Sequence, residues 1–175
     1  MQEIQYVVGD ATLPQSQNNT IICHSCNDLG IFGAGFVIPL GNRYPIVKEQ
    51  YLEWSKSSPS GQPFRLGEVQ FVQVDPKIWV ANLIGQKGVG FRSGPPVRYE
   101  ALYEGFAKVA DFAIAHTADV VMPRIGCGLG GGEWKTVEKL ITQTLCRKEI
   151  IVRVCDLPSS HKETIDVADR PIFGW

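Results

Sequence analysis

No apolar run in this 175-residue chain approaches the roughly 20 residues needed to span a bilayer, and Met1-Gln2-Glu3 does not open a signal peptide. Neither a membrane span nor export is therefore expected. Charge of one sign is lacking too: the formal net charge is −1, which gives no broad pull on nucleic acid or on an anionic membrane surface. Cysteine is sparse. Cys23, Cys26, Cys127, Cys146 and Cys155 are an odd number and sit mostly inside apolar segments, which reads as reduced, buried thiols. The stretch Cys23-His24-Ser25-Cys26 has the look of a metal or redox box. If it is extended, however, alternation sends its two cysteines to opposite faces, and no second Cys/His pair at ligand spacing completes a tetrahedral site. These absences leave a cytoplasmic protein with no metal, and at 44% hydrophobic content one sizeable core rather than two domains.

Glycine is what the chain does have. Gly30-Ile31-Phe32-Gly33-Ala34-Gly35 and Gly126-Cys127-Gly128-Leu129-Gly130-Gly131-Gly132 each follow a run that reads as a buried strand and precede one that reads as a helix. Residues without a Cβ let backbone N–H groups approach an anion closely, and a helix N-terminus adds partial positive charge. One such loop suggests a phosphate. Two that meet at the same edge of one sheet suggest two linked phosphates, as in a dinucleotide or ADP-ribose.

Strands and helices alternate along the chain. Residues 4–8 and 20–26 read as strands, 37–40 and 47–54 as helix broken around Gly41 and Pro45, and 55–64 as a loop. Residues 66–74 and 78–84 form an expected hairpin through Asp75-Pro76-Lys77. The 85–96 segment is too rich in Gly and Pro for regular structure and could close over a ligand. Leu102, Phe106, Val109 and Ala113 space a helix over 98–117, 119–125 is a buried strand, Trp134, Val137, Ile141 and Leu145 mark a helix over 133–145, and 150–154 closes the sheet. The sum is a single three-layer α/β/α domain with a mixed central sheet, followed from Pro158 by a polar tail that ends in Pro171-Ile172-Phe173-Gly174-Trp175 and either docks Phe173 and Trp175 on the domain or hangs free. The spacing Gly126-x-Gly128-x-x-Gly131, with Asp156 downstream, also fits an NAD-binding fingerprint, although only one further strand follows it.

The strand leading to Gly9-Asp10, the segment His24-Ser25-Cys26-Asn27 before Gly33-Ala34-Gly35, and Met122-Pro123-Arg124-Ile125-Gly126-Cys127-Gly128-Leu129 before Glu133-Trp134 together resemble the macro domain. The branch they most resemble contains the terminal ADP-ribose protein glycohydrolase and the yeast ADP-ribose 1''-phosphate phosphatase. The resemblance implies a domain over 1–157 and a tail over 158–175. It implies that Asp10 receives the adenine amino group and that Gly33, Ala34 and Gly35, with Asn27, lie against the diphosphate and distal ribose. Gly126, Cys127, Gly128, Leu129, Gly130 and Gly131 would wrap the other side of the diphosphate, and Cys155 to Leu157 would border the adenine.

For catalysis the resemblance implies an attacking lysine and an assisting aspartate, but a gapless alignment sets Gln86 at the lysine, with Lys87 one residue later, and Gly130 at the aspartate. Lys87, His24 and Asn27 are then the candidate catalytic residues, the last two as groups orienting a water. Two readings stay open. The protein hydrolyses a small ADP-ribose derivative (a 1''-phosphate, an acyl ester or a mono-ADP-ribosyl linkage), or it only reads ADP-ribose on another molecule. Either way the implied partner is ADP-ribose or an ADP-ribosylated molecule, with no cofactor, no membrane, no general nucleic-acid binding, and a monomeric state.

Overall fold

Ile21, Ile22 and Cys23 are apolar on successive positions, as a strand covered on both faces requires. The computed structural model, which describes residues 1–58 and 61–158, places them in β2 (Asn19–Asn27), the centre of a six-stranded sheet. β2 pairs in parallel with β4 (Ile78–Gln86) on one side and with β5 (Ala118–Met122) on the other. Beyond β5 lie β6 (Val152–Asp156) and then β1 (Gln5–Val8), both parallel; beyond β4 the antiparallel β3 (Val69–Asp75) closes the opposite edge. The order β1-β6-β5-β2-β4-β3 makes the mixed sheet that the alternating pattern predicts. Because β2, β4, β5 and β6 run the same way, their C-terminal ends share one edge, where ligands of open parallel sheets bind.

Two cores result. Helices α3 (Tyr99–His116) and α4 (Trp134–Thr144) bury Leu102, Phe106, Val137 and Ile141 against Ile21, Cys23 and Leu83. On the opposite face, α1 (Val37–Arg43) and α2 (Pro45–Ser57) bury Leu40, Tyr51 and Trp54 against Ile22, Cys26 and Ile84. Cys23 and Cys26 therefore lie in different cores, as strand alternation demands.

The element boundaries shift for local reasons. β5 ends at Met122, short of the expected 125, because Pro123 cannot donate to a ladder and the Ile125 amide turns back to its carbonyl. α1 runs through Gly41, and the break falls at Tyr44, which is held out of the helical region by the proline that follows it. β3 starts at Val69 because Gly67 turns with φ +85°, and β6 starts at Val152, after Glu149 (φ +61°) ends a short 3₁₀ turn. Apart from Pro158, the expected tail, with Phe173 and Trp175, lies outside the described residues.

Gly105 sits inside α3, where alanine would ordinarily stabilise by about 1 kcal/mol. Here a Cβ would lie 2.4 Å from Cγ of the buried Leu83. Gly105→Ala is expected to lower stability by about 1–3 kcal/mol in urea denaturation; a rise would show that the helix–sheet contact is loose.

Candidate functional site

Three loops leave the C-terminal edge of the sheet and enclose a cavity of about 320 Å³. The first follows β2 and brings Asn27, Gly33, Ala34 and Gly35 to the cavity wall; the second follows β5 and brings Arg124, Gly126, Gly128, Leu129 and Gly130. The third follows β4 and contributes Gln86, Val89 and Gly90. The two glycine loops, nearly a hundred residues apart in sequence, thus face each other across one crevice.

Their backbone explains their composition. Gly35 and Gly126 have φ of +76° and +75°, where a side chain would be strained, and a Cβ on Gly130 would stand 2.6 Å from the Gly126 carbonyl oxygen. Among the described residues, no hydrogen bond engages the amides of Gly33, Ala34, Gly35, Gly128, Leu129 or Gly130. Convergent N–H groups without partners, on loops that a ligand can approach closely, form an anion cradle.

Several expected ligand-binding residues fall elsewhere. Cys127 points into the core under α3 and α4, Cys155 is buried against α1 and α2, and Gly131 sits against Phe91 and Pro95; none of them lines the cavity. Leu157 is half-buried beyond the cavity wall. Asp10 also lies outside the wall, at the end of β1. Its Oδ1 accepts from the Thr12 amide (2.8 Å) and hydroxyl (2.7 Å), while Oδ2 stands 3.9 Å from the Arg43 guanidinium, and the side chain is partly exposed.

The three candidate catalytic residues are differently placed again. Gln86 faces the cavity, and Lys87, next along the chain, is exposed and not part of its wall. A Cβ at Gly130 would be 2.8 Å from Gln86 Nε2, so the Gln86 amide fills the space in which a carboxylate at 130 would have to stand. Asn27 lines the cavity, but its side chain folds its own loop: Oδ1 accepts from the Leu29 and Ile31 amides and Nδ2 donates to the Ile31 carbonyl. His24 is buried at the cavity floor and donates from Nε2 to Asn82 Oδ1 at 2.5 Å. Asn82 in turn donates to Gln70 Oε1 (3.0 Å), and Gln70 to the Gln50 carbonyl (3.0 Å), a polar ladder from β2 across β4 and β3 to α2. Burial holds the His24 imidazole down to about 4, against the hydrogen bond to Asn82, so the ring is neutral at physiological pH. Burial also pushes the Cys127 thiol up to about 12 and Cys26 well above its usual range, so neither presents a thiolate.

Arg124 and Gln86 line the crevice although sequence reasoning gave neither a role. Arg124 forks onto Asp156 at 2.9 and 3.0 Å and lies over the rings of Tyr6 and Trp134 at 5.2 and 5.1 Å. The signal for it was a lone cation between a buried strand and a glycine loop. For Gln86 the signal was its alignment with a catalytic position. Asp156, the downstream acid of the NAD-type fingerprint, is committed to Arg124 with both oxygens.

No family profile matches the chain. It is 47% identical to a macrodomain protein from Streptomyces coelicolor of known structure, covering 88% of this chain and 99% of that one with a TM-score of 0.78. The structure of Thermosipho africanus DarTG in complex with ADP-ribose is similar in fold at 20% identity, with 90% of this chain and 42% of that one covered and a TM-score of 0.69. Chromodomain-helicase-DNA-binding protein 1-like of Danio rerio is 30% identical over 160 residues, 86% of this chain but only 15% of that protein's length.

A buried imidazole depressed from 6.5 to about 4 supports the fold fully above pH 6.5, and that support is lost as pH falls towards 4, where the unfolded chain binds a proton that the folded one refuses. The loss amounts to about 2–3 kcal/mol. Urea midpoints at pH 7 and pH 4 are expected to fall further for the natural chain than for His24→Gln; equal slopes would place the acid sensitivity elsewhere.

Proposed function

The chain belongs to the macrodomain family, and from that premise we propose that its crevice binds ADP-ribose, with the diphosphate between the 33–35 and 126–130 loops. The observation that carries this reading is the convergence of two glycine loops in which the amides of residues 33–35 and 128–130 have no hydrogen bond among the described residues. A diphosphate offers several oxygens to such a cradle, and backbone donors hold it without a lysine or arginine. Arg124, the cationic side chain that the described residues place in the wall, is already neutralised by Asp156 and adds little net attraction.

The adenine then lies towards the β1 and β6 edge. There Asp10 Oδ2, free of the hydrogen bonds that occupy Oδ1, accepts from the exocyclic amine, which a guanine cannot supply at that position. Cys155 takes no part in stacking, since it packs inward. The ADP-ribose carried by the similar Thermosipho structure supports the same ligand class.

Binding is put ahead of hydrolysis. Cleavage of a 1''-phosphate, an acyl ester or a mono-ADP-ribosyl bond needs a base or nucleophile beside the sugar. Lys87 stands outside the wall, the Asn27 amide is occupied in its loop, and His24 is neutral and committed to Asn82. A monomeric reader of ADP-ribose, free or attached, is the function this crevice supports best.

Free ADP-ribose is expected to raise the melting temperature, with about 2.7 kcal/mol of stabilisation at a hundred times Kd, and NAD to do so far less. Asp10→Ala is expected to weaken ADP-ribose binding about tenfold in calorimetry. Equal stabilisation by NAD would reopen the dinucleotide reading, and an unaffected Asp10→Ala would remove the adenine contact.

A further inference from the structure

At the far end of the crevice from Asp10, where β4 gives way to its loop, the wall consists of Gln86, Val89 and Gly90, with Ile31 and Leu129 beside them. Gln86 is the polar side chain of this end. Its carboxamide makes no hydrogen bond to any described residue, although its backbone carbonyl receives the Asp28 amide at 3.0 Å. The Gly130 backbone beside Nε2 has no side chain to screen it.

Among the described residues no cationic side chain lines this end of the crevice, so nothing there is placed to receive a further phosphate. Asp28 anchors the loop by accepting from the Gly88 amide at 2.7 Å, which sets a carboxylate next to it. Lys87 and Arg92 belong to the same segment but line no part of the cavity, and one arm of the Arg98 guanidinium is held by the carbonyls of Pro95, Pro96 and Val97.

Resting on the ADP-ribose reading, we infer that Gln86 is the specificity-determining residue for the terminal group: its amide recognises the hydroxyls of an uncharged distal ribose, and this end of the crevice rejects a phosphomonoester there. A neutral amide both donates to and accepts from sugar hydroxyls. A dianion there would meet Val89, Ile31 and Leu129, apolar side chains that offer neither charge nor hydrogen bond to offset any water it gave up. The protein therefore selects ADP-ribose over ADP-ribose 1''-phosphate.

Calorimetric titration of the natural chain and of Gln86→Leu with ADP, ADP-ribose and ADP-ribose 1''-phosphate tests this. Gln86→Leu is expected to weaken ADP-ribose about five- to tenfold and to leave ADP, which lacks the distal ribose, within about twofold. The natural chain is expected to bind the 1''-phosphate at least about tenfold more weakly than ADP-ribose. An equal effect of the substitution on ADP and ADP-ribose, no effect on either, or a 1''-phosphate bound as tightly as ADP-ribose would overturn the inference. Failure of the natural chain to bind any of the three would instead remove the ADP-ribose reading itself. Should Gln86→Leu lose ADP binding through misfolding, the natural chain's preference between the two ADP-ribose ligands still decides.

Discussion

Five parallel strands that stop at one edge impose the constraint from which the site follows. Each strand end releases a loop whose amides no longer have a neighbouring strand to bond, and buried N–H groups need partners. In most loops turns or side chains supply them. Here the 33–35 and 126–130 loops leave amides without partners facing one cavity, and glycine at the positive-φ positions keeps the backbone reachable. The crevice is thus a consequence of parallel topology combined with residues that have no side chain.

Rigidity comes from what surrounds the cradle. Asn27 uses its amide to shape the first loop, and the Tyr51 hydroxyl clamps the Asn27 carbonyl from α2 at 2.7 Å. Beneath the floor, the His24–Asn82–Gln70 ladder satisfies buried polar groups across three strands. On the other flank, Arg124 is held by both oxygens of Asp156 and lies over two aromatic rings, which ties the second loop to β6. Several residues with catalytic-looking chemistry are in this way occupied in holding shape. Preorganised donors lower the cost of ordering on binding, which would suit the proposed capture of a flexible diphosphate.

Ser25 shows the cost of close packing at such an edge. Its hydroxyl is buried without a hydrogen-bond partner, and a Cβ on Gly85 would lie 2.6 Å from it and equally close to Leu102. Gly85 is a glycine because β4 must pass that close to β2 and α3 on its way to presenting Gln86. The position thus connects helix packing to the end of the crevice that Gln86 lines.

The order of strands and helices, the three layers and the pair of glycine loops were readable from periodicity and composition, since buried strands and amphipathic helices write their spacing into the chain. Which side chains line the crevice was not. Local sequence could not tell Gln86 from Lys87, because the strand register, with its irregularity between Cys26 and Asn27, decides which of the two faces inward. Nor could it foresee that Cys127 and Cys155 turn into the cores, that Asn27 is occupied by its own loop, or that Arg124 meets Asp156, 32 residues on. Sequence alone determined the elements and their punctuation, because these depend on neighbours along the chain. The tertiary structure decided direction, charge state and availability, because these depend on which groups other strands and helices bring within hydrogen-bonding distance.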